Sequence, residues 1–117
     1  VPMSSYSNGM AMERRTKSKL ERDGYYVVKS AGSKGAADLV AVKAGEILFI
    51  QCKLDSYVAP EEWNVLWGLC QRTGAVPVVV GRGQKVWRIT GPKTGLRGQR
   101  QPWEPWAWDA AGGAGRL

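Results

Sequence analysis

Asp38, Gln51 and Lys53 are the residues whose types and spacing can do chemistry together. Asp38 opens one apolar run, "DLVAV", and Gln51 and Lys53 close the next, "ILFIQCK". Alternate residues of a strand share a face, so Gln51 and Lys53 point the same way. With the two runs paired as a hairpin through the turn "KAGE", Asp38 comes beside the Gln51–Lys53 end. An acid, an amide and an amine then meet where two buried strands emerge. The Asp38 carboxylate, the Gln51 side-chain carbonyl and the Cys52 backbone carbonyl are oxygen donors of the kind Mg2+ takes. Lys53 is placed to orient or deprotonate a water, or to stabilise charge developing on a phosphate. Glu13, far upstream, is the candidate for a further carboxylate.

The same residues have an ordinary structural reading. Asp38 can solvate a strand start and Lys53 can guard a sheet edge against aggregation. Spacing alone leaves both readings open. The tilt toward chemistry comes from polar groups gathered at the ends of apolar strands in a strongly basic chain.

The elements that must position these groups follow from patterning. "GMAMERRTKSKLERDG" suits a charged surface helix from about Gly9 to Asp23, stopped by Gly24. On it Glu13, Thr16, Leu20 and Asp23 share one face. "YYVVKS" (Tyr25–Ser30) is aromatic and β-branched and reads as a strand, and "AGSKGAA" as a flexible loop. The continuous apolar run Ile47–Ile50 predicts a strand buried on both faces. Pro60, the acids Glu61 and Glu62 and the stop Gly74 bound a second helix, whose core stripe is Trp63, Leu66, Trp67 and Cys70. "VPVVVG" and "KVWRIT" then predict two closing strands. The expected fold is α/β, a mixed β-sheet flanked by helices in the order α-β-β-β-α-β-β, as a single domain over 9–90. Residues 1–8 read as a flexible N-terminus or cloning scar, and 91–117 as a loose Gly/Pro/Trp-rich tail.

Composition narrows the chemistry further. The 117 residues carry no His, which excludes His-based metal sites, a Ser-His-Asp triad and a Cys-His pair. Cys52 and Cys70 have no CxxC spacing, so neither a zinc site nor a disulfide framework is expected. Carboxylates, lysine and hydroxyls remain. A formal charge of +7 on so small a chain points to a polyanionic partner, nucleic acid before membrane. No apolar run approaches the ~20 residues of a membrane span. The expected location is the cytoplasm, with small size hinting at a virus or prophage gene. Arg14, Arg15, Lys17, Lys19 and Arg22 crowd the first helix, and Lys29 and Lys34 flank the loop. They suit DNA phosphate contacts, against the plainer reading of a solvated helix face. Trp103, Trp106 and Trp108 of the tail can stack on unpaired bases, although folding back on the domain or on a partner is the preferred reading.

An ordered set of short motifs carries a family resemblance. "GMAMER" (Gly9–Arg14), "VVKSAGSKGAADLVAV" (Val27–Val42), "ILFIQCK" (Ile47–Lys53) and "GAVPVVV" (Gly74–Val80) resemble the archaeal-type Holliday junction resolvases of the PD-(D/E)XK nuclease superfamily. The resemblance implies a restriction-endonuclease-like core and phosphodiester hydrolysis with Mg2+ or Mn2+. It also implies a homodimer acting on four-way junctions or other branched DNA. By position Glu13 matches the family's helix acid and Arg14 the basic residue after it. Ser33 matches a loop serine serving the site, and Asp38 and Lys53 match the motif's acid and lysine. Two positions depart. Ala37 stands where Pro usually precedes the acid, and Gln51 stands where the second metal-binding acid belongs. The catalytic set is therefore Glu13, Ser33, Asp38, Gln51 and Lys53. The metal set is Glu13, Asp38, Gln51 and the Cys52 carbonyl. The rival expectation is a non-catalytic, basic nucleic-acid-binding module that keeps the fold, with Gln51 marking lost activity.

Overall fold

Among the described residues, six strands lie in one sheet in sequence order: Tyr26–Lys29 (β1), Leu39–Lys43 (β2), Glu46–Cys52 (β3), Val76–Val80 (β4), Val86–Ile89 (β5) and Trp103–Pro105 (β6). Helix α1, Ser5–Arg22, precedes β1, and helix α2, Pro60–Thr73, links β3 to β4. The structure, a computed structural model, describes residues 5–30, 35–95 and 100–107. Only β3 and β4 run parallel; every other neighbouring pair is antiparallel. A parallel pair needs a crossover, and α2 supplies it. The expected mixed sheet flanked by helices is the observed one.

Strand alternation sorts the core onto the two faces. Leu48 and Ile50 of β3 join Val78 and Val80 of β4, Leu39, Ala41 and Val27 in a cluster with Leu20 of α1. Val79 and Ile89 gather instead with Trp63, Leu66 and Cys70 of α2, and Ile47 and Phe49 pack against them. The central strand is thus covered on both sides, as its unbroken apolar run required. Helix α1 is more than a charged surface element. Met12, Thr16 and Leu20 recur every fourth residue and are buried, Leu20 completely. That one side chain contributes on the order of 1.5–3 kcal/mol. The helix ends as Gly24 predicts. Gly24, at φ 94°, donates to the Glu21 carbonyl at 3.0 Å and Tyr25 to that of Leu20 at 3.0 Å. This is a Schellman end, which only a residue at ease with positive φ closes cheaply.

The hairpin that carries Asp38 is tight. Lys43 pairs with Glu46, leaving Ala44 (φ 42°) and Gly45 (φ 85°) as a two-residue turn. Its register sets Leu39 opposite Ile50, so Asp38 falls opposite Gln51 at the open end.

Two boundaries differ from the sequence reading. Helix α1 begins at Ser5, ahead of the Gly9 expected, and so takes in part of the segment read as a flexible N-terminus. The segment read as a loose tail supplies β6, paired to β5 with Trp103 opposite Ile89. Trp103 stacks on Trp87 at 4.7 Å and lies 5.3 Å from Trp63. A three-residue strand leaves too little periodicity to see; large aromatic burial holds it. Trp108 lies outside the described residues. Among the described residues no helix is long and apolar enough to cross a membrane.

Candidate active site

Asp38 is the best-fixed polar group of the open end. Its backbone N–H donates to the Ile50 carbonyl at 2.8 Å, and its own carbonyl accepts from Ser30 at 2.9 Å. Its carboxylate oxygen Oδ2 accepts from the Cys52 N–H at 2.8 Å. Gln51 is 5% exposed, and its Nε2 donates to the Ala36 carbonyl at 2.6 Å. With the nitrogen committed there, Oε1 is the donor that Gln51 can offer a cation.

Glu13 reaches this end from α1. Burial, and then the negative charge of Asp38, raise its pKa above the ordinary carboxylate value, with Lys29 working the other way. Lys29 Nζ lies 3.6 Å from Glu13 Oε1. Burial also raises Asp38, against the Cys52 N–H and the charge of Lys53, which favour the ionised form. The Cys52 thiol is pushed up to about 12, by burial first and the Asp38 charge second. It therefore stays a neutral thiol, and its backbone carbonyl is the only donor it offers a hard cation.

Asp38 and Gln51 thus face each other across β2 and β3, and Glu13 and Lys53 lie near enough to Asp38 for their charges to interact. Ser33 and Lys34 lie outside the described residues. Among the described residues no three His, Cys, Asp or Glu side chains are grouped closely enough to hold a metal ion. A cation here would rely on two carboxylates, the Gln51 amide oxygen and the Cys52 carbonyl. That all-oxygen set fits a hard divalent ion, and two acids that resist ionisation beside each other are what such a charge relieves.

One neighbour was not foreseen as part of the site. Glu62, in the first turn of α2, accepts from Lys53 Nζ at 2.7 Å. Its charge also opposes ionisation of Asp38. In the sequence it reads only as a helix-start acid, because its approach depends on how the Leu54–Ala59 loop folds. That loop is seated by Ser56, whose Oγ accepts from the Arg82 N–H at 2.7 Å. Gly81 permits the approach: a Cβ there would stand 2.3 Å from Ser56 Oγ.

The basic residues divide. Lys29 is paired with Glu13, and Lys17 with Glu21 at 3.1 Å. Arg14 and Arg15, with Ser18, Lys19 and Arg22, line an open groove of about 600 Å3 beside Gln84. The Gln84 amide nitrogen is buried there with no acceptor among the described residues. Trp63 is fully buried and belongs to the core.

The family model described as archaeal Holliday junction resolvase (Hjc) matches residues 4–101. The crossover junction endodeoxyribonuclease Hjc of Methanocaldococcus jannaschii is 38% identical over 76 residues, covering 62% of this chain and 56% of that protein. The chain thus spans little more than half the length of that relative. The crystallographic fold of Archaeoglobus fulgidus Hjc, a Holliday junction resolvase, superposes with a TM-score of 0.61 at 20% identity, covering 81% of this chain and 85% of the other. At that identity the likeness is one of fold.

Proposed function

The chain belongs to the archaeal Holliday junction resolvase family, and from that premise we propose that it is a divalent-metal-dependent endodeoxyribonuclease of branched DNA. What supports this reading is Asp38 facing Gln51 at the open end of β2 and β3, with Glu13 and Lys53 near enough to Asp38 for their charges to interact. Glu13, Asp38, the Gln51 oxygen and the Cys52 carbonyl would hold Mg2+ or Mn2+. When bound, the cation supplies charge stabilisation at the phosphate and lowers the pKa of the attacking water. Asp38, tied by three backbone hydrogen bonds, orients that end of the site. The Lys53 ammonium meets the negative charge that builds on the phosphate oxygens. Gln51 weakens the hold on the cation, because it gives one oxygen and no charge.

Arg14 and Arg15 are the DNA contacts of this reading, along the α1 groove with Lys19 and Arg22. Lys17 and Lys29 contribute less, their charges being partly matched by Glu21 and Glu13. The proposed assembly is a homodimer. Tyr26, Val28 and Val42 are exposed on one face of the β1–β2 wing, and Tyr26 alone is 73% exposed. Mass in solution tests that face: Val28→Lys should shift a dimer toward monomer. The proposed setting is the cytoplasm, that of a host cell if the chain is virus- or prophage-encoded.

The substrate is tested by offering a four-way junction, a flap and a linear duplex side by side with Mn2+. Preferential cutting of the junction supports the reading. Equal cutting of all three would reduce it to an unselective nuclease. The rival, a binding module without chemistry, requires no cutting and binding indifferent to Asp38→Asn.

A further inference from the structure

The charges around Asp38 do not favour a cation until one more residue is counted. Glu13 and Asp38 bring two negative charges, and Gln51 brings none. Lys29 lies against Glu13, and Lys53 is close enough to Asp38 to favour its ionised form. Two lysines therefore offset two carboxylates, and that set alone is close to neutral. Calcium and magnesium sites draw their affinity largely from the charge of their ligands, so a neutral set binds weakly.

Glu62 changes the balance. It occupies the third position of α2, after Pro60 and Glu61. An acid there commonly turns back to cap the helix start. Here its Oε2 lies 2.7 Å from Lys53 Nζ, so it faces the strand end. The contact does two things. It matches the Lys53 charge, leaving Glu13 and Asp38 a net negative end, and it fixes where the Lys53 ammonium sits. A glutamate at position 51 would do both from inside β3, because residues 51 and 53 share a face.

We propose that Glu62 is the positioning acid of Lys53 and supplies, from α2, the negative charge that β3 lacks at Gln51. Glu62 acts through Lys53 and does not ligate the cation. This rests on the proposed metal-dependent function but concerns a residue outside the expected set.

Calorimetric titration of the DNA-free protein with Mn2+ tests it. Glu62→Gln should weaken Mn2+ binding about tenfold, the size expected for one charge removed from a partly screened site. Glu61→Gln, which removes the same charge from the exposed neighbouring position, should leave the affinity within about twofold by the same screening argument. Gln51→Glu placed on Glu62→Gln should restore it. In junction cleavage, Glu62→Gln should lower kcat while KM holds or falls, since an acid has left a DNA-facing surface. Equal Mn2+ affinity in wild type and Glu62→Gln overturns the proposal, as does equal weakening by Glu61→Gln or a wild type that binds no Mn2+. A wild type that binds Mn2+ but cuts no DNA sinks the nuclease reading and leaves the calorimetry to decide on Glu62.

Discussion

The sheet and the helices contribute to the same site in different ways. Asp38 and Gln51 come from adjacent strands and are held by backbone groups: Cys52 N–H for one, the Ala36 carbonyl for the other. Glu13 and Glu62 come from α1 and α2 and are held by lysine side chains, Lys29 and Lys53. The strand groups have little freedom, because moving them breaks the ladder. The helix groups sit on long side chains whose partners are partly exposed. Such pairs are individually worth little in stability, typically about 0–1 kcal/mol. The strand half therefore sets where the chemistry is, and the helix half sets its charge.

The largest effect that would break this contrast is at Asp38. Asp38→Ala leaves the Cys52 N–H without its acceptor, which costs about 1–3 kcal/mol in a buried setting. Asp38→Asn keeps an oxygen in place and removes a charge that burial disfavours, so it should melt at or above the wild type. Equal melting of the two variants would mean that the Cys52 bond does not anchor the site.

A smaller effect is in pH. Burial raises both Glu13 and Asp38, so each binds its proton more tightly folded than unfolded. Their contribution to stability is present at low pH and is lost as pH climbs from about 4 through the raised values. Scanning calorimetry without metal should show that loss, reduced in Glu13→Gln and reversed by Mn2+. A wild type and Glu13→Gln with parallel profiles would contradict it.

The smallest effect separates the basic residues of α1. Arg22→Ala, in the groove, should weaken DNA binding a few-fold and lower the salt slope by about one. Lys17→Ala should do less, its charge being shared with Glu21. The reverse order would move the DNA path off the groove.

These contrasts also explain what the sequence made legible. Asp38, Gln51 and Lys53 were visible because strand alternation and a short hairpin turn their spacing directly into geometry. Helix α2 was visible from Pro60 to Gly74 for a similar reason, its signals being local. Glu62 as a partner of Lys53 was not, because a loop whose path depends on Ser56 and Gly81 separates them. Nor was β6, since a three-residue strand that ends in Pro105 carries no period; its place is set by Trp103 against Trp87 and Trp63. The charged pattern of α1 hid a buried stripe in which Thr16 satisfies its own hydroxyl on the Met12 carbonyl at 2.9 Å.

The most direct test of the central claim is cleavage of a four-way junction with Mn2+ by wild type, Asp38→Asn and Gln51→Glu. The account predicts that wild type cuts with its glutamine in place. It also predicts that Asp38→Asn binds the junction but cuts at least about a thousandfold more slowly, the scale of removing a key electrostatic group. A wild type that binds without cutting, while Gln51→Glu cuts, would contradict it.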